Sequence, residues 1–99
     1  MKIEGQMNNR VLSVILEGRL DTDAAPLLEE FLTENLPGAE SVELDFSGVD
    51  YISSAGLRVM VWLSRHTGIS KGLIRIRNMK SSVKGIFEIT GISDMVVVE

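Results

Sequence analysis

The sequence predicts a single α/β domain over residues 1–99: a mixed, mostly parallel sheet of four to five strands packed with three or more helices. Three observations carry this. Short segments with apolar residues at every second position alternate with longer segments whose apolar residues recur every three or four. Strands that alternate with helices build parallel sheets, because each helix returns the chain to the start of the next strand. A chain of 99 residues, 44% of them apolar, can bury a core of its own without disulfides or metals.

The elements follow in order. Met1 to Gln6 reads as a short edge strand and Asn8-Asn9 as a turn. Val11 to Glu17 alternates, with Leu12, Val14 and Leu16 on one face and Ser13, Ile15 and Glu17 on the other. The first two strands are then expected to form an antiparallel edge hairpin. Gly18-Arg19-Leu20-Asp21 leads into a helix capped by Asp21, Thr22 or Asp23, with Pro26 confined to the first turn. Leu28, Phe31, Leu32 and Leu36 share one face of it, and Pro37-Gly38 stops it.

Ser41 to Phe46 is a second alternating strand, with Val42, Leu44 and Phe46 inward and Glu43 and Asp45 outward. A short polar turn follows. The next helix runs from Ser54 to about Thr67. Its body, Leu57, Val59, Met60, Val61, Trp62 and Leu63, is apolar over most of its circumference, as in a helix that is central or offers one side to a partner. Arg65 and His66 fall in its last turn and Gly68 at its C′ position. Leu73 to Arg77 is a strand. Ser81 or Ser82 caps a short helix carrying Val83, Ile86 and Phe87, Gly91 ends it, and Met95 to Val98 is the last strand.

Composition excludes several chemistries. There is no cysteine, hence no disulfide, thiolate metal site or thiol catalysis. The one histidine, His66, cannot build a His-rich metal site, and its place in a last helical turn is explained by the helix dipole. No catalytic residue, metal or cofactor is expected. A net charge of −4 disfavours a nucleic-acid partner. Lys71, Arg75, Arg77, Lys80 and Lys84 read as a solvated face rather than a basic strip. No 18-residue apolar run exists and the N-terminus lacks a signal core, so no membrane contact and a cytoplasmic location are expected.

Ser53 and Ser54 stand where helix amides are unpaired. Serine before a helix is among the commonest caps, and most such serines are never modified. A phosphoryl group there would be accepted by those amides and would add about −1.5 to −2 charge beside Asp45 and Asp50. A partner burying this turn would meet repulsion and a desolvation cost, which makes a binding switch.

The run Asp45-Phe46-Ser47-Gly48-Val49-Asp50-Tyr51-Ile52 followed by Ser53-Ser54-Ala55-Gly56-Leu57 resembles the signature of the STAS superfamily, and the short format resembles its anti-sigma factor antagonists. Glu17-Gly18-Arg19-Leu20-Asp21 is similar to the family's Gly-x-Leu-Asp segment, and Ser82 to Ile92 to its third-helix motif, so the resemblance covers essentially the whole chain. It implies a STAS fold and a binding switch, not an enzyme. The unphosphorylated protein would bind an anti-sigma factor that is also a GHKL-type serine kinase, whose ATP and magnesium are its own. Phosphorylation would end binding, and a PP2C-type phosphatase would restore it. The family's acceptor, two positions before the glycine, maps to Ser54, with Ser53 as second choice. The docking residues would be Asp21, Thr22, Ser47, Asp50, Ser53, Ser54, Gly56, Leu57 and Arg58, with Trp62 a further contact, on a monomer. The sequence departs from the family in having Ser53 where aspartate often precedes the acceptor, and Ala55 where serine or threonine often follows it.

Other functions would make different demands on the sequence. A receiver domain with Asp45 as acceptor would need an acidic pair after its first strand, and Met1 to Val11 offers none. A hydrolase with Ser54 as nucleophile would need a base, and His66 lies twelve positions along the same helix, about 18 Å away. A STAS module that binds proteins without phosphorylation, or binds a nucleotide, in another bacterial pathway is the alternative. No Walker-type glycine loop supports the nucleotide.

Overall fold

Alternation in the second and third strands fixes the layers. A computed structural model describes residues 1–66 and 73–99. Thr67, Gly68 and Lys71 lie outside the described residues, as does the side chain of His66. Strands β1 (Lys2–Asn8) and β2 (Val11–Leu20) form the expected antiparallel hairpin. Its two-residue turn is Asn9-Arg10 rather than Asn8-Asn9, and both take positive φ, as the favoured hairpin turns require. Strands β3 (Ser41–Ile52), β4 (Ile74–Arg77) and β5 (Val97–Val98) complete a sheet of order β1-β2-β3-β4-β5, in which every pairing after the hairpin is parallel.

Leu12, Val14 and Leu16 of β2, Val42, Leu44 and Phe46 of β3 and Ile74 and Ile76 of β4 face the core. Helices α1 (Ala24–Asn35), α2 (Ser54–His66) and α3 (Ser81–Ile89) cover that face with Leu28 and Leu32, with Val59, Met60 and Leu63, and with Val83 and Phe87. Phe46 and Phe87 meet edge to face, 6.0 Å between centroids. The opposite sheet face stays in solvent. There Glu43 and Glu99 pair with both Arg75 and Arg77 at 3.2–3.6 Å. The arginines of the supposed basic strip are thus neutralised on a solvated face.

The turn expected after Phe46 is absent. β3 continues to Ile52, alongside Glu17 to Leu20 of a β2 that is also longer than its alternation implied. The reason is two bulges. Between Ile15 and Glu17 of β2, β3 advances from Asp45 to Gly48; between Gly18 and Arg19, from Val49 to Tyr51. Each step inserts an extra residue into β3 and turns its side chains. Burial then recurs at Phe46, Val49 and Ile52, a spacing of three that hides the strand from a period-two reading.

Three helix boundaries settle differently from, or more narrowly than, expectation. Asp21 caps α1: its Oδ1 accepts from the amides of Asp23 at 3.1 Å and Ala24 at 2.9 Å. Pro26 sits in the first turn, where its missing N–H costs nothing. At α3 neither Ser81 nor Ser82 is the cap, because both are already helical. Lys80 holds that position with extended backbone and no side-chain cap bond. Gly91 does end the helix, at φ 79°, and a single 3-10 turn (Ile92–Asp94) follows, leaving Val97–Val98 as the whole of β5.

Candidate functional site

The carboxyl ends of β2 and β3 carry the starts of α1 and α2, where sheets of this kind place their functional groups. The Ser53 amide donates to the carbonyl of Leu20, at 2.9 Å, which joins the two connections. The Ser53 carbonyl accepts the first helical bond, from Leu57, at 3.0 Å. Its Oγ accepts from the amide of Gly56 at 3.2 Å. Ser53 is therefore the N-cap, bonded three residues into the helix.

Ser54 is the first residue of α2 and is exposed. Because Ser53 supplies the cap, the Ser54 hydroxyl is not committed to the helix. Its partner is Arg58, one turn on, whose Nη2 lies 3.5 Å from Oγ. A guanidinium does not take up a proton, so this contact does not make a nucleophile of the serine. The arrangement offers an accessible hydroxyl beside unpaired amides, able to carry a substituent without loss of the cap.

Gly56 is buried beneath the start of α2. A Cβ there would lie 2.8 Å from Leu20 Cγ and 2.9 Å from both Ile52 Cγ1 and the Leu20 carbonyl. Its part is to let α2 come down onto the strand ends. Leu57 is half-buried and packed on the core, while Asp21 and Thr22 directly follow Leu20 in sequence. A groove of about 310 Å³ opens between α1 and α2, walled by Ala25, Pro26 and Glu29 on one side and Ala55, Arg58, Val59 and Trp62 on the other. The half-buried Trp62 thus has both a core side and a groove side.

The extension of β3 separates residues that a turn would have gathered. Because two of its residues are taken up in bulges, the β3 segment from Asp45 to Ile52 runs alongside only Ile15 to Leu20, and at a strand rise of about 3.3 Å per residue Asp45 still lies roughly 17 Å before the strand end that carries Ser53. Asp45 is not beside Ser54. Its carboxylate accepts from the Ser47 amide at 2.9 Å and from Asn78 Nδ2 at 3.2 Å. The Ser47 amide, helped by Asn78, the Ser47 hydroxyl and Arg77, holds its pKa below the ordinary carboxyl value against an opposing effect of burial. Asp50, one of the bulge residues, pairs with Lys80 at the start of α3. Asp45 and Asp50 thus tie β3 to the segment that leads into α3.

One exposed pair has no signature in the sequence. Arg19 of β2 stacks on the Tyr51 ring, 4.1 Å from Cζ to centroid, two residues before the Ser53 cap, and Tyr51 stays 39% exposed. The register that joins them depends on the bulges, so no local motif announced it.

Among the described residues no three acidic or histidine side chains cluster as a metal site, and no helix is long and apolar enough to cross a membrane. The family model described as "Mlab, STAS domain" matches residues 4–98. BtrV of Bordetella bronchiseptica, a proposed anti-sigma factor antagonist, is 33% identical over 92 residues, covering 92% of this chain and 79% of BtrV. The anti-sigma-B factor antagonist of Bacillus subtilis is 24% identical over 96 residues, covering 97% and 88%. The solved structure of the Bacillus cell fate determinant SpoIIAA in its phosphorylated form superposes with a TM-score of 0.75 at 14% identity, covering 99% and 91%. The bulged strand, the serine-capped helix behind it and a family match over nearly the whole length agree: this chain belongs to the STAS domain family.

Proposed function

We propose that this chain is an anti-sigma factor antagonist that works as a partner switch. The unphosphorylated surface around Ser53, Ser54 and the neighbouring start of α1 binds an anti-sigma factor, itself a GHKL-type serine kinase, and releases what that factor holds. Phosphorylation of Ser54 by the kinase ends the complex, and a PP2C-type phosphatase renews it. The protein binds and is modified; it is not an enzyme, and it acts in the cytoplasm.

The observation that carries the reading is the division of labour between the two serines. Ser53 Oγ caps α2 while the Ser54 hydroxyl is exposed and free of that duty. A phosphoryl group on Ser54 leaves the fold intact and adds about −1.5 to −2 charge to a surface that a partner must desolvate. The names of BtrV and the Bacillus subtilis relative support the antagonist role. The phosphorylated form of SpoIIAA supports a fold that tolerates the modification.

The test is intact mass and site mapping after incubation with candidate GHKL kinases and ATP-Mg. One phosphate on Ser54 is expected. Ser54→Asp should unfold at the wild-type temperature yet bind the kinase at least about tenfold more weakly, and Ser54→Ala should bind and stay bound. If both variants bind and signal like wild type, the switch is wrong. A stable complex that never acquires phosphate would favour the second reading, a constitutive STAS binding module, to which Ser53 in place of the usual aspartate is suited.

A further inference from the structure

We propose that Arg58 is the clamp for a phosphorylated Ser54. This rests on the reading of Ser54 as the acceptor and adds a residue that acts on the phosphate once it is there.

The geometry is prepared. Ser54 and Arg58 are four residues apart on α2 and therefore share one face. The anion precedes the cation along the helix, which is the favourable order for such a pair. Nη2 already lies 3.5 Å from Oγ, at the outer limit of a hydrogen bond. Phosphorylation replaces one weak acceptor with three charged oxygens, which a planar guanidinium can grip through two parallel bonds. Among the described residues Arg58 forms no ion pair, so its charge is not already engaged. Of the acidic side chains around this groove, the Asp21 carboxylate accepts from two amides, and Glu29 stands on the α1 wall without an ion pair to Arg58 among the described residues.

The consequence is that one covalent event alters two surfaces. A dianion is added at the start of α2. The cation on one wall of the groove is paired by that dianion while the other wall keeps Glu29, so the groove becomes more acidic. A partner reading both would distinguish the two forms better than one reading the phosphate alone.

Phosphoserine installed at position 54 during translation of the full chain makes the test independent of any kinase. If no kinase modifies the chain the switch reading fails, while the clamp is still measured. Phosphorus NMR titration should give a phosphate second pKa roughly half a unit lower in the wild-type background than with Arg58→Gln, with Arg58→Lys between. The helix amides, Asp21 and Glu29 act on all three proteins, so the difference belongs to Arg58. The Arg58 Nε–H resonance should shift when phosphoserine replaces serine, and both effects should shrink in molar salt. Identical titrations overturn the clamp. So does a pKa difference with an unmoved Nε–H, which would mean distant charge without contact. Arg58 is exposed, and amide spectra of both variants check that they fold.

Discussion

Two helices of this chain begin with a pair of serines and use them in opposite ways. At α2 the first serine stays outside the helix and caps it, and the second becomes its first residue. At α3 both serines are inside, and the capping position belongs to Lys80, which gives no side-chain bond. Packing decides between them. The start of α2 is drawn onto the strand ends through Gly56 and the Ser53–Leu20 hydrogen bond. The start of α3 is tied to β3 by Asn78 on Asp45 and Lys80 on Asp50. A serine pair marks a helix start to within a residue or two, but tertiary contacts choose the register. Ser81 and Ser82 are as exposed as Ser54, so an uncapped hydroxyl alone does not make a site. What sets Ser54 apart is Arg58 and the groove beside it.

The largest break in this comparison should come from Gly56→Ala. The new Cβ would meet Leu20 Cγ, Ile52 Cγ1 and a backbone carbonyl, all within 2.9 Å, and none is the loose end of a side chain. Overpacking of this kind costs about 1–3 kcal/mol. Chemical denaturation should show that loss. Wild-type stability in the variant would mean that close approach does not set the register of α2.

Ser53→Ala comes next. It removes the cap from the Gly56 amide and should cost about 1 kcal/mol, whereas Ser81→Ala and Ser82→Ala should each change stability by less than about 0.5 kcal/mol. Equal losses at the two helices would erase the distinction drawn here. Gly85→Ala sharpens it from the other side. A Cβ at Gly85, inside α3, meets nothing within 4 Å, so the change should stabilise the protein by about 0.4–1 kcal/mol through helix propensity. Two glycine-to-alanine changes, one in each helix, should move the denaturation midpoint in opposite directions.

Within β3 the legible and illegible parts of the sequence divide at Phe46. Before it, Leu12, Val14, Leu16, Val42, Leu44 and Phe46 keep strict alternation, and the hairpin, both strands and their inward faces follow from that. After it, two bulges replace the period of two with a spacing of three, and a strand with exposed Ser47 and Asp50 looks like a polar turn. The same bulges shape the site: Ser47 and Asp50 lie on a strand rather than in a turn beside Ser54, and Asp50 pairs with Lys80. The Arg19–Tyr51 pair is illegible for the same reason, because the shifted register alone brings the two together. Ser53 and Ser54 were legible as a helix start. Which of them caps depended on the approach of Leu20 and Ile52, residues whose contact with Gly56 no local pattern contains.

The smallest effect tests how α3 is held. Asp45 is ionised below the ordinary carboxyl range because the Ser47 amide, Asn78 and Arg77 favour its charge. A carboxyl lowered on folding stabilises the native state when charged. That contribution is complete above its unfolded pKa, near 4, and is lost as pH falls through the lower folded value. The group is largely solvated, so screening limits the gain to a few tenths of a kcal/mol. The stability difference between wild type and Asp45→Asn should therefore be level from neutral pH to about 5 and shrink below about 4. A difference that grew on acidification would reverse the sign and remove Asp45 as an anchor. Amide exchange gives the location. If Asp45 and Asn78 take the place of a serine cap, the first turn of α3 should exchange faster in Asp45→Asn while the first turn of α2, held by Ser53, stays as it was. Faster exchange in both would mean that the carboxylate supports the sheet as a whole, and that α3 begins where it does for a reason other than its tie to β3.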